Sequence, residues 1–234
     1  MKMRFKLIPF VLSALSLLSA CATVPKVKVL PQAEYLAEIA EANPYYPLLR
    51  MSGKVYHMTI TGWVKSNASV VVGAPFGFRM ALTDPAGRAW FAATANEETV
   101  FYAAPDKKVS KTMPLNKNAL IEIGPFKVPP EDFIKNTHPG IEPSRLESGD
   151  AELIKDGIKL VNGDITEKFI FDKENRLVMT AIKRKGIPPL KLRYSYLPDG
   201  GYTVDINSLL RFEFTRVKQV DSLPDELFEP FIVP

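Results

Sequence analysis

The chain has 234 residues, 46% of them hydrophobic, with 30 Lys and Arg against 26 Asp and Glu, two histidines and one cysteine. That is apolar material for one packed domain, and a lone cysteine excludes a disulfide within the monomer. With Lys2, Arg4 and Lys6 removed in a leader, 27 basic residues face 26 acidic ones, so no basic footprint for nucleic acid remains.

The leader is the first element. "MKMRFK" is a basic n-region, and Leu7 to Ala20 is an apolar run of 14 residues broken by Pro9. It is too short to span a bilayer and reads as an export signal over residues 1–20. It ends in "LSAC", which resembles a bacterial lipobox with Cys21 as the lipidated residue. Membrane lipid is then the first expected partner, and the acyl chains on Cys21 exceed the two signals that stable anchoring needs. Residues 21–31 carry "ATVPKVKVLP", an extended tether.

From residue 32 to 234 the pattern is that of a single domain. "PQAEYLAEIAEAN" puts Tyr35, Leu36, Ile39 and Ala40 on one face and Glu34, Glu38 and Glu41 on the other, an amphipathic helix opened by Pro31 and closed by "NP". A two-residue period follows. "KVYHMTITGWV" places Tyr56, Met58, Ile60 and Val64 on one side, His57, Thr59, Thr61 and Trp63 on the other. Phe78, Met80 and Leu82 alternate with polar or small neighbours, and "DPAG", a turn, ends that run. "RAWFAAT", "TVFYAA" and a weaker "KKVSKTM" come next. Two short helical signals follow, Leu115 to Ile123 and Pro130 to Asn136, the second with proline then Glu131 and Asp132 in its first turn. Strands then resume to Val217, joined by "KDG", "NGD", "DKEN" and "PDGG". "LPDELFEPFIVP" closes the chain on Phe228 and Phe231.

The expected fold is mainly β: a curled antiparallel sheet of about ten or eleven strands, a half-barrel, covered by an N-terminal helix and a central helical pair. Open antiparallel sheets of that size curl strongly. The concave set is Phe78, Met80, Leu82, Phe133, Phe169, Phe171, Leu177, Met179, Phe212 and Phe214. It makes either a solid core or the lining of a cavity.

Catalysis has little support. Two distant histidines give no metal-ligand spacing, and no GxSxG elbow or phosphate-cradling glycine loop is present. His57 reads as a structural histidine and His138 as a surface one. Glu131 and Asp132 read as helix-dipole acids. Lys183, Arg184 and Lys185, with Lys191 and Arg193, read as a solvated hairpin end or a patch for anionic headgroups. No enzyme, cofactor or metal is expected.

The order of elements, with "GAPFGFRMAL" and "VPPEDFIKNTHPGIEP", resembles the lipoprotein-localisation (LolA/LolB-like) fold, and the lipobox makes the chain more similar to its outer-membrane receptor branch. That resemblance implies an outer-membrane, periplasm-facing lipoprotein that binds lipid or lipoprotein acyl chains and passes them to the membrane, with a periplasmic carrier protein as a further partner. It aligns Phe76, on the "GAPFG" turn, with a membrane-contacting tip; the alternative is a ring folded back on Phe78 or the lid. The competing class is a structural or assembly lipoprotein with a solid core.

Overall fold

The computed structural model describes residues 32–230, apart from 74–76, 106–107, 116–118, 124–125 and 148–149. The leader, Cys21, the tether, Phe76 and Phe231 therefore lie outside the described residues.

Helix α1 spans Gln32–Ala42, followed by six strands: β1 Leu48–Thr59, β2 Gly62–Gly73, β3 Gly77–Thr83, β4 Ala89–Ala95, β5 Thr99–Ala104 and β6 Val109–Pro114. A short hairpin, β7 Ile121–Ile123 and β8 Phe126–Val128, leads to helices α2 Pro130–Asn136 and α3 Pro143–Glu147. Seven more strands follow: β9 Asp150–Ile154, β10 Gly157–Asn162, β11 Ile165–Phe171, β12 Leu177–Arg184, β13 Ile187–Tyr196, β14 Tyr202–Ile206 and β15 Leu210–Gln219. A 3-10 turn, Asp225–Phe228, ends the described chain.

Thirteen strands form one open antiparallel sheet in the order β6-β5-β4-β3-β2-β1-β15-β14-β13-β12-β11-β10-β9. The half-barrel class expected from the sequence is what the chain forms, with two or three more strands in its sheet. The chain starts at the sheet's middle, runs outward as a meander to the edge β6, and re-enters at the far edge β9. It then works back until β15 pairs with β1. Because β6 and β9 are opposite edges, the segment between them must cross the sheet. That is why β7–β8, α2 and α3 cover its concave face.

The first half of the expected helical pair is corrected: Ala119 and Leu120 are not helical, and Ile121–Ile123 pairs as a strand with β8. The helical pair is α2 with α3. Alternation of Ile and Glu at 121–123 suits a strand, and three residues are too few to fill a helical turn.

Four irregularities interrupt the pairing of the large sheet, one of them between Ile182 and Arg184 of β12 against β13, and the other three decide which side chains face inward around them. On β15, Thr215 has no opposite number on β1, and Gly53 sits there because a Cβ would lie 1.9 Å from the Glu213 carbonyl oxygen. On β4, Trp90 is the unmatched residue, so Trp90 and Phe91 both turn inward, their rings 6.3 Å apart. On β12, Val178 is unmatched, which switches the inward set from Leu177 to Thr180 and Ile182.

On the convex side, Gly73 ends β2 and Gly77 opens β3. A Cβ on either would meet the Phe228 ring at 2.7 or 2.8 Å, and Arg79 Nη1 donates to the Leu227 carbonyl at 3.1 Å. These glycines leave room for the C-terminal turn as well as serving the hairpin.

Candidate functional site

The site is the concave face and the segment laid across it. Of the expected lining residues, Phe78, Met80, Leu82, Phe133, Phe169, Phe171, Leu177, Phe212 and Phe214 are all buried in one core cluster. Met179 is not among them: past the Val178 bulge it faces outward and is half-buried, and Thr180 takes the inward position, fully buried. Phe133 of α2 sits in the middle of the face. Its ring stands edge-on to Phe78 of β3 at 5.6 Å and lies 6.1 Å from Phe212 of β15, which stacks on Phe214 at 5.5 Å. Such ring pairs add to plain burial. The concave face is thus packed by the lid's own phenylalanine.

How α2 is held follows from its short length. A helix of seven residues leaves most of its backbone groups without intrahelical partners. Pro129 and Pro130 open it with no side-chain cap, and its first turn is held by charge. Asp132 receives two hydrogen bonds from the Arg184 guanidinium of β12, Nε to Oδ2 at 2.7 Å and Nη2 to Oδ1. Both side chains are buried, at 9% and 5% exposure, which makes this a desolvated bidentate pair. At the other end, Asn136 Nδ2 donates to the Asp132 carbonyl and Thr137 Oγ1 to the Phe133 carbonyl, at 2.7 and 2.6 Å. The Tyr194 hydroxyl donates to the Asn136 carbonyl and the Tyr202 hydroxyl to that of Thr137, at 2.9 and 3.2 Å. Burial pushes both phenols well above the usual tyrosine range, keeping them protonated donors. Helix α3 adds a second clasp: Arg145 donates to Glu167 of β11 at 2.5 Å, with its guanidinium 4.9 Å over the Phe169 ring.

Two sequence expectations change here. Arg184 is not a solvated hairpin cation: with Thr180 and Ile182 it faces the concave side. Asp132 does stand in the first turn of α2, as a helix-start acid should, and it also pairs with a cation 52 positions along the chain. His138 is not a surface residue either. Its ring packs edge-on between Tyr46 and Tyr202, at 5.5 and 5.7 Å, and Nδ1 accepts from the Gly140 amide at 2.8 Å. Desolvation pushes its pKa down to about 4. Asn43, which the sequence offers only as a helix stop, is a staple. Its amide donates to the Ile39 and Asn175 carbonyls and accepts from the Leu177 amide, joining α1 to the β11–β12 hairpin.

The β1–β6 side differs. His57 of β1 lies against Trp90 of β4, ring centroids 4.6 Å apart although two strands separate theirs, which measures the curl of the sheet. Burial pushes the His57 imidazole down. His57 Nδ1, Trp90 Nε1 and Thr94 Oγ1 are buried with no hydrogen-bond partner. Among the described residues, no group of three or more His, Cys, Asp or Glu could hold a metal ion, and no helix is long and apolar enough to cross a membrane.

No family model matches the chain, and no curated protein matches it. Solved structures do. A LolA superfamily protein from Nitrosomonas europaea is similar over 86% of this chain and 98% of its own, at 12% identity and a TM-score of 0.49. A domain from Vibrio parahaemolyticus, described as an outer membrane lipoprotein-sorting protein, is similar over 83% and 94%, at 10% identity and 0.46. A DUF1329 family protein from Desulfovibrio piger is similar over 85% and 95%, at 8% identity and 0.48.

Proposed function

We infer that this chain binds the acyl chains of a lipid or lipoprotein on the concave face of its sheet, beneath α2, and releases them to a bilayer. It acts as a carrier and not as an enzyme, anchored through an acylated Cys21 at the periplasmic face of the outer membrane, with Phe76 at a membrane-facing turn and a periplasmic carrier protein as donor. One observation carries this reading. The concave face is apolar over β3 and β15, and its cover is fixed by charged and phenolic groups of β11 to β14 while meeting β3 ring against ring. An acyl chain that displaced Phe133 from Phe78 would exchange one apolar contact for another. Transfer then follows relative affinity, with no nucleotide needed.

The packing of Phe133, Phe78, Phe212 and Phe214 supports a second reading, a solid-core structural or assembly lipoprotein. Phe133→Ala separates the two. In a Cys21→Ala form lacking residues 1–20, removal of the ring opens space at the centre of the face and destabilises by about 3–5 kcal/mol. The carrier reading expects co-purified lipid in native mass spectra of the parent and at least equal uptake of a fluorescent acyl probe by the variant. A lipid-free parent whose variant is destabilised and takes up no probe supports the solid core.

A further inference from the structure

The hairpin tip at the opposite end of β2 from the "GAPFG" turn has no role in the reading above. Residues 60 and 61 join β1 to β2, and Ile60 is fully exposed, at 106% of its reference area. Ile60 shares the outward parity of Tyr56 and Met58, and it lies beyond Thr59, the last residue of β1 to pair with β2. Trp63 and Val64, the next residues up, are exposed at 46% and 41%. The tip is held in shape. Thr59 Oγ1 donates to the Gly62 carbonyl at 2.8 Å and lies 3.0 Å from Thr61 Oγ1, and Gly62 takes a positive φ of 118°. A turn pinned in this way presents an isoleucine to solvent with little conformational entropy left to lose on burial.

Cations surround it. On the convex face the Arg211 guanidinium lies 6.0 Å over the Trp63 ring, and Lys65 Nζ lies 5.5 Å over that of Tyr56. Two strands on, Lys191 and Arg193 line a recess of about 400 Å³ with Pro189, Asp205, Asn207 and Ser208. The acids among them are engaged: Asp205 receives Arg211 at 3.1 Å, and Glu213 lies 3.3 Å from the Tyr56 hydroxyl. An exposed aliphatic tip, an indole behind it and lysines and arginines behind that form the depth order of a bilayer interface: acyl region, headgroup boundary, phosphate layer.

We propose that the β1–β2 tip is a membrane-seating element. Ile60 enters the acyl boundary of an anionic bilayer, Trp63 sits at the headgroup level, and Lys65, Arg211, Lys191 and Arg193 face its phosphates. Twelve residues of β2 put this tip roughly 40 Å from the far end of that strand at Gly73. The tip is thus a separate surface, and this proposal does not depend on acyl-chain carriage.

The chain contains two tryptophans, so full-length Trp90→Phe leaves Trp63 as the only indole. Mixed with vesicles of phosphatidylglycerol and phosphatidylcholine whose acyl chains carry bromine, Trp63 emission should move to the blue and be quenched about two-fold or more. Vesicles of phosphatidylcholine alone should need roughly five-fold more lipid for the same effect, and Ile60→Asp should abolish quenching in both. Lys191→Glu with Arg193→Glu should erase the preference for the anionic vesicles. Should Trp90→Phe fail to fold, the quenching difference between the unmodified chain and Trp63→Phe reads the same signal, because Trp63 is the exposed indole. No quenching on any vesicle, quenching unchanged by Ile60→Asp, or equal response to both lipid compositions overturns the proposal and leaves the tip to a protein partner.

Discussion

Strands β11 to β14 meet the covering segment with an arginine, a glutamate and two buried phenols, whereas β3 meets it with phenylalanine and β4 faces it with alanines and aromatics. Arg184, Glu167, Tyr194 and Tyr202, which make polar contacts with the covering segment, belong to the β9–β15 half. Among the described residues, the three buried polar side-chain atoms without partners all belong to β1 and β4. Parting Phe133 from Phe78 loses dispersion and some hydrophobic area, while parting Asp132 from Arg184 leaves a buried charge unsolvated. The second separation is the more expensive by several-fold. Opening such a cover would part it from β3 more easily than from β12.

The strongest way to break that asymmetry is to remove its buried charge pair. Arg184→Met should destabilise by about 3–5 kcal/mol in urea unfolding, because Asp132 is left without its partner in a desolvated place. Asp132→Asn should lose less, because Glu131 Oε2 stands 3.9 Å from the same guanidinium. The double change Asp132→Leu with Arg184→Met should recover most of that loss. If the single variants unfold like the parent, the lid is not fixed from the β12 side.

Lowering the pH tests the same junction through His138. Its folded-state pKa lies near 4, below the ordinary 6.5, so the fold favours the neutral ring. Stability from this site is complete above about pH 6.5 and falls as pH drops toward 4, by up to about 3 kcal/mol, less whatever water reaches the ring. Substituting His138→Phe should flatten that acid limb between pH 7 and 4.5. An identical slope in the variant would remove His138 from the account.

The smallest effects sharpen the comparison most directly. Tyr194→Phe takes away the donor to the Asn136 carbonyl and should lose about 1–2 kcal/mol. Thr94→Val, nearly the same change in size, removes a hydroxyl with no partner and should be neutral or stabilising by up to about 1 kcal/mol. Opposite signs from two hydroxyl deletions, measured by thermal melts, are the expected result; losses of equal size would mean the halves do not differ.

What the sequence disclosed follows the range of the interactions concerned. Alternation and turn chemistry are local, so the meanders and both ends of α2 could be read directly, and the glutamates of α1 do face solvent. Met179 was assigned to the wrong face because the bulge at Val178 depends on the pairing with β11. Trp90 and His57 meet only because the sheet curls. Arg184 in a run of "KRK" looks solvated, because its inward position also rests on the bulge at Val178 and on the register shift between Ile182 and Arg184. His138 gave no signal: its tyrosine neighbours come from positions 46 and 202.

The pairing of β1 with β15 has a further consequence, for the order in which the chain is made. Every other neighbour in the large sheet is joined by a short turn and forms as soon as its hairpin is complete. The edge of the first strand stands open until the last strand arrives, about 150 residues later. Until then the chain carries a hydrogen-bonding edge at what becomes the middle of its sheet, the kind of edge that recruits other strands. Loss of β15 would not trim the molecule at its margin; it would leave two six-stranded meanders with nothing between them.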